Sequence, residues 1–159
     1  TAEEIREILH YDPETGILRW AKRISQRSVI GRETGWRSSS GHLQVTIRGK
    51  HHVSHRLIWL WMTGEWPKDQ VDHINCNPSD NRWCNLREAT HSQNMRNSPR
   101  QSNNTSGYKG VYFNKGRWHA HIVVDRVNIY LGGFSTPEAA YAAYCAAALK
   151  YHGEFARLA

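Results

Sequence analysis

Eleven consecutive residues, 97 to 107 (NSPRQSNNTSG), carry no aliphatic or aromatic side chain. Their Ser, Asn, Gly and Pro content has neither helical nor strand periodicity, so the stretch reads as a linker. A linker at this point divides a 159-residue chain into two parts, and each must then bury its own apolar face. The fold expected is therefore modular, with short elements and small cores.

The first part opens with TAEEIREILHY, where Ile5, Ile8 and Leu9 fall at helical spacing. DPETG is a turn before the short run ILRW. In GHLQVTIRGKHHVSHRL, Leu43, Val45 and Ile47 alternate with polar residues, the pattern breaks at Arg48, Gly49 and Lys50, and it resumes, which predicts a β-hairpin. HRLIWLWMTG predicts a short apolar helix closed by Gly64. Then Gln70 and Val71 read as a strand end, NPSDN as a loop of turn formers and LREAT as a second strand. Thr90-x-x-Gln93 is a capping box that starts a helix. Beyond the linker the pattern is strand, turn, strand, turn, strand, helix. GVYFN, RWHAHIVV and VNIYLG are the strands, NKG and DR the turns, and the helix runs from Thr136 to Gly153. In the middle strand Trp118, Ala120 and Ile122 point to one face and His119, His121 and Val123 to the other. The class predicted is α+β.

Charge narrows the partners. Lys and Arg number 21 against 14 Asp and Glu, a net charge of +7. No acid lies between Glu33 and Glu65, or between Glu88 and Asp125, while nine basic residues do. Two basic faces are expected, suited to a polyanion. No apolar run approaches the roughly 20 residues of a membrane span, and the amino terminus lacks the order of a signal peptide, so a soluble cytoplasmic protein without a membrane partner is expected. Cys76, Cys84 and Cys145 form no C-x-x-C pair, which predicts free thiols.

The chemistry concentrates in VDHINCNPSDNRWCNLREATHSQN, residues 71 to 94. Asp72 on a strand and Asn94 on the following helix would supply a carboxylate and an amide oxygen, a hard and incomplete donor set of the kind that suits a Mg²⁺-like ion. His73 is then not needed as a ligand and can take a proton from water, and Asn85 can bond the loop backbone and fix the ring of His73. The same spacing also fits a solvated turn.

Residues 55 to 97, with HRLIW, TGEWP, VDHIN, DNRWCNLREAT and SQN, resemble the HNH endonucleases of bacteriophages and mobile introns, which cut DNA with a ββα-metal motif. The resemblance implies Asp72 and Asn94 as ligands of one divalent metal, His73 as general base and Asn85 as the residue that orients it. It implies Mg²⁺, with Mn²⁺ possible. Asn94 stands where much of the family has histidine, which lowers the expectation for Zn²⁺. Cys76 stands where relatives often have glycine, a matter of loop shape. Residues 1 to 54 resemble the leader region of phage members, and the organism implied is a bacterial host carrying a phage or mobile element.

Residues 107 to 158, with SGYKGV, W-x-A-x-I and LGGFSTPEAAYAAYCAAALKYHGEFA, resemble the ethylene-response-factor (Apetala-two) DNA-binding domain, a three-stranded antiparallel sheet packed on one helix. Matched positions imply duplex DNA contacts from Tyr112, Asn114, His121, Val123, Asn128 and Tyr130. Lys109, Arg117 and His119 join them by position, and Arg56, Arg82, Arg87 and Arg96 are phosphate candidates beside the nuclease motif. The organisation expected is a leader at 1–54, a nuclease module at 55–98, the linker at 99–107 and the DNA-binding domain at 108–159, in a monomer. The function expected is a metal-dependent DNA endonuclease. A non-catalytic DNA-binding regulator and a structured-RNA binder or RNA-cleaving enzyme are the competing readings.

Overall fold

A computed structural model describes residues 1–100 and 102–158. Gln101, within the expected linker, lies outside the described residues. The chain divides into two compact units, Thr1–Thr90 and His91–Ala159. Among the described residues, four α-helices and several small antiparallel sheets make it a mixed α and β protein.

In the first unit, helix α1 (Ala2–Ile8) is capped by Thr1, whose hydroxyl accepts from the Glu4 amide. The helix ends one residue sooner than the spacing predicts. Leu9 has extended backbone and begins β1 (Leu9–Asp12), where it is completely buried. β1 pairs antiparallel with β2 (Ile17–Trp20) around the DPETG turn. Next come β3 (Trp36–Arg37), which periodicity over two residues cannot reveal, β4 (Leu43–Ile47) and β5 (Lys50–Val53). Arg48 and Gly49 join β4 to β5 with φ of 50° and 78°, the two left-handed residues that a tight hairpin loop requires. Helix α2 (Ser54–Thr63) stops at Gly64, φ 86°, whose amide bonds the Leu60 carbonyl. β6 (Gln70–His73) and β7 (Leu86–Ala89) then form a separate two-stranded sheet. Ile5, Leu9, Tyr11, Leu18, Val45, Leu57, Ile58, Val71 and Leu86 belong to one core. The segment before residue 55 thus shares its hydrophobic centre with the segment after it.

The second unit begins with helix α3 (His91–Asn97), directly after Thr90. β8 (Val111–Asn114), β9 (Arg117–Val124) and β10 (Val127–Phe134) form an antiparallel sheet in the order β10-β9-β8. Its two loops, Lys115-Gly116 and Asp125-Arg126, again have positive φ at both residues. Helix α4 (Pro137–His152) has Thr136 as its cap, bonding the Ala139 amide, and Pro137 in its first turn. Val111, Ala120 and Ile122 pack toward Ala140, Tyr144 and Ala148. The alanines let the helix approach the sheet closely. Approaching β8, Ser106 donates to the Tyr108 and Val111 carbonyls, and Asn104 Nδ2 donates to the Tyr108 carbonyl. No helix among the described residues is long and apolar enough to cross a membrane.

Candidate active site and nucleic-acid interface

Asp72 and His73 end β6, and both are buried. Successive strand residues point to opposite faces. Asp72 accordingly meets its cross-strand partner Arg87, whose Nε donates to Oδ2 at 2.9 Å with Nη2 at the same distance. His73 turns to the other side, where its Nε2 lies 2.9 Å from Oδ1 of Asn81. An amide oxygen can only accept, so in the neutral ring Nε2 carries the proton and Nδ1 is the basic nitrogen.

Asn81 is itself held firmly. It is buried, its carbonyl accepts the Tyr11 hydroxyl at 2.7 Å, and the neighbouring Trp83 amide donates to the Pro13 carbonyl at 3.1 Å. Gly16 has φ 75°, and a Cβ there would fall 2.5 Å from the Arg82 nitrogen and 2.6 Å from the Asn81 carbonyl carbon. Only glycine lets the β1-β2 turn come this close. The amino-terminal hairpin is therefore a buttress for the residue that orients His73.

Asn85 staples the loop between the strands. Its Oδ1 accepts from the Asn75 amide at 3.0 Å, and its Nδ2 donates to the Asp80 carbonyl at 2.7 Å and to Asn75 Oδ1 at 3.0 Å. Bonding of the loop backbone is as the sequence suggests, while the ring nitrogen of His73 is met by Asn81. Cys76 has φ 58°, a conformation that favours glycine, and its amide bonds the His73 carbonyl at 2.8 Å. Cys76, Cys84 and Cys145 are not joined in disulfides.

The arginines proposed from sequence as phosphate contacts have protein partners. Arg56 donates to the Asp69 carbonyl, Arg82 grips Asp80 with two nitrogens, Arg87 pairs with Asp72, and Arg96 reaches Asp125. The Arg82 bonds hold the Asp80 carboxyl down to about 2. Lys109 donates to the carbonyls of Arg96 and Ser98 at the end of α3.

Sequence reasoning misses a third feature. The ligand nitrogens of His42, His55 and His73 all lie within 4.8 Å of one another. The His55 and His73 rings meet edge to face with centroids 4.9 Å apart, and His42 lies 5.2 Å from His55 and 5.8 Å from His73. Burial, aided by repulsion from His73, His42 and Arg56, pushes His55 down to about 3. Below pH 6.5 the unfolded imidazole gains a proton that folded His55 refuses until about pH 3. Stability should therefore be complete above the unfolded value and fall as the solution is acidified through that window, by about 2 kcal/mol between pH 6.5 and 5 for this group alone. Urea midpoints of the wild type and of His55→Gln across that range check this, with the flatter profile expected for the variant.

In the second unit, β-sheet register gathers the positions expected to meet DNA. Tyr112 pairs with His119, Asn114 with Arg117, His121 with Tyr130 and Val123 with Asn128. Residues opposite one another share a face, so these eight lie together, opposite the face that carries Ala120 and Ile122 into the core. Tyr112 stacks on His119 with centroids 5.4 Å apart. His119 Nε2 meets the Asn114 carbonyl at 3.2 Å, which makes it the donor in the neutral ring and lets Nδ1 accept the Tyr130 hydroxyl at 2.9 Å. Tyr112, Asn114, Arg117, Val123, Asn128 and Tyr130 are exposed.

Residues 52–96 match the HNH endonuclease family. This is under a third of the chain, and it spans β5, α2 and the β6-β7 hairpin into α3. The chain is also 47% identical over 51 residues to APETALA2-like protein 2 of Oryza sativa, in both the indica and japonica subspecies, covering 31% of this chain and 12% of theirs. To the AP2-like ethylene-responsive transcription factor TOE2 of Arabidopsis thaliana it is 45% identical over 60 residues, covering 36% and 12%. The chain thus spans about an eighth of the length of these curated relatives. No solved structure matches it.

Asp72, His73 and Asn85 lie in the matched segment and in the first unit. Asn94, also in the matched segment, lies on α3 in the second unit. Asn81 hides in sequence among NPSDN, where every residue is a turn former. His42 and His55 are too far apart in the chain for spacing to connect them.

Proposed function

We propose that this chain is a metal-dependent DNA endonuclease that cuts a phosphodiester bond with its HNH-matched segment, residues 52–96, at a target recognised partly by the β8-β9-β10 face. The observation that carries this reading is His73, buried inside the HNH-matched segment with Nε2 on the Asn81 amide oxygen and Nδ1 therefore basic. Bound at Asp72, with Asn94 as second donor by sequence resemblance, a divalent ion such as Mg²⁺ or Mn²⁺ would supply positive charge against the phosphate and the departing 3′ oxygen. Nδ1 of His73 takes the proton of the attacking water, the hydroxide adds to phosphorus as the bond to the 3′ oxygen breaks, and the departing 3′ oxyanion takes a proton from solvent water. Asn81 keeps the imidazole in the receptive tautomer. Asn85 holds the loop that carries it. Products with 5′ phosphate and 3′ hydroxyl follow from the family resemblance.

The donor chemistry fits a hard ion, because one carboxylate and an amide leave most positions to water. Asp72→Ala should abolish cutting at low Mg²⁺. Normal cutting by that variant across a Mg²⁺ titration would show that Asp72 is no ligand.

The Apetala-two-like relatives support duplex DNA as the partner of the exposed sheet face. Arg117 and Lys115 are exposed at the β8-β9 loop. If each neutralises one phosphate, Lys115→Ala with Arg117→Ala should reduce the log-log salt slope of DNA binding by about 1.8, from about 0.9 per contact. An unchanged slope removes these two residues from the interface. Arg56, Arg82, Arg87 and Arg96 would serve DNA only by exchanging their present partners, and Lys109 likewise. Resemblance to phage and mobile-intron enzymes would place the protein in the cytoplasm of a bacterial host, acting as a monomer.

A further inference from the structure

We infer that His42, His55 and His73 form a second metal site, one for a borderline ion such as Zn²⁺, and that its occupation withdraws His73 from proton transfer. Three imidazoles are the donor set of soft to borderline first-row ions, not of Mg²⁺. Their ligand nitrogens already lie within 4.8 Å of one another. Zn–N bonds of about 2.0–2.1 Å in tetrahedral geometry put nitrogens about 3.3 Å apart, so the cluster needs to contract by about 1.5 Å. His42 is partly exposed and borders the cluster from the start of β4, so it can turn inward.

An independent observation points to a ligand. Nδ1 of His55 is buried with no hydrogen-bond partner, on a residue more than nine-tenths buried between His42 and His73. A buried polar nitrogen without a partner costs about 1–3 kcal/mol, and a coordinated ion would satisfy it. Each of the other two rings already has one nitrogen held by a neighbour, His73 Nε2 by Asn81 Oδ1 and His42 Nδ1 by Ser40 Oγ at 3.1 Å. Such outer bonds aim metal-binding imidazoles. Strand alternation directs Asp72 to the opposite side of β6, toward Arg87, so the two metal requirements do not share a carboxylate.

Metal binding here does not depend on the nuclease reading, whereas the inhibition does rest on His73 being the base. The full chain, freed of metal with chelator, is titrated with Zn²⁺ alone by calorimetry, and with Co²⁺ by visible absorption. We expect one tight Zn²⁺ per chain and the intense visible bands of a low-coordinate Co²⁺ site without thiolate charge transfer. His42→Gln, chosen because the buried His55 could be needed for folding, should weaken Zn²⁺ at least tenfold, and changing the three cysteines to serine should not. No stoichiometric binding, binding indifferent to His42→Gln, or binding lost with the cysteines overturns the site. In the second arm, Zn²⁺ is added to Mg²⁺-dependent cleavage at concentrations that fill the site. Cleavage should fall in step with occupancy, and His42→Gln should shift that curve at least tenfold to higher Zn²⁺. Continued cutting by fully loaded protein would leave the site standing and overturn the withdrawal of His73, and with it the assignment of His73 as base.

Discussion

His73→Ala should lower the rate of DNA cleavage by about 10² to 10⁴ while leaving DNA affinity within a few fold of the wild type, because a positioned base contributes about that much. The variant removes the basic Nδ1 and keeps Asp72 with its Arg87 partner. Asn81→Ala should give a smaller loss, about tenfold to a hundredfold, since the imidazole remains but its tautomer is no longer imposed. Single-turnover rates at saturating protein separate these effects from binding. A His73→Ala protein that cuts at the wild-type rate would end its role as base.

Gly110→Ala should be the most damaging single change to the second unit. Gly110 has φ 73°, a Cβ there would overlap the Tyr144 ring, and it would lie 2.7 Å from the His121 carbonyl oxygen. Tyr144 is buried in the core between α4 and the sheet, so it cannot swing away. The left-handed backbone costs about 1–2 kcal/mol for a non-glycine residue, and overpacking a further 1–3. A loss of at least about 3 kcal/mol is expected, read as a lower urea midpoint with weakened DNA binding. By contrast Gly116→Ala, with a similar φ of 79° but nothing within 4 Å of its Cβ, should cost only the backbone part. Equal losses for the two would mean that the Tyr144 contact is unimportant.

The difference between these glycines illustrates what the sequence carries and what it does not. Gly110 reads as the first residue of the strand GVYFN and Gly116 as part of the NKG turn, but only the folded chain shows which one faces a ring. The strands from Val111 to Phe134 are legible because alternation specifies their faces, and the register aligns Tyr112 with His119 and His121 with Tyr130 as that alternation requires, although β10 runs two residues beyond the expected VNIYLG. The end of α1 is not, since Leu9 satisfies helical spacing and strand burial equally well. At the site, Asp72 and His73 stand out because they are adjacent in a polar loop context. His42 and His55 do not, because HHVSH looks like the polar side of a hairpin until α2 turns His55 inward. Likewise the pairing of Arg82 with Asp80 and of Arg87 with Asp72 emerges only once the loop and the β6-β7 register are formed.

Supercoiled plasmid incubated with the full chain tests most directly whether the protein hydrolyses DNA with a divalent ion. With Mg²⁺ or Mn²⁺ the plasmid should become relaxed or linear, and with chelator it should stay supercoiled. Plasmid left intact under every metal condition, while a mobility shift shows the protein bound to it, would contradict the claim and leave a DNA-binding protein without catalysis.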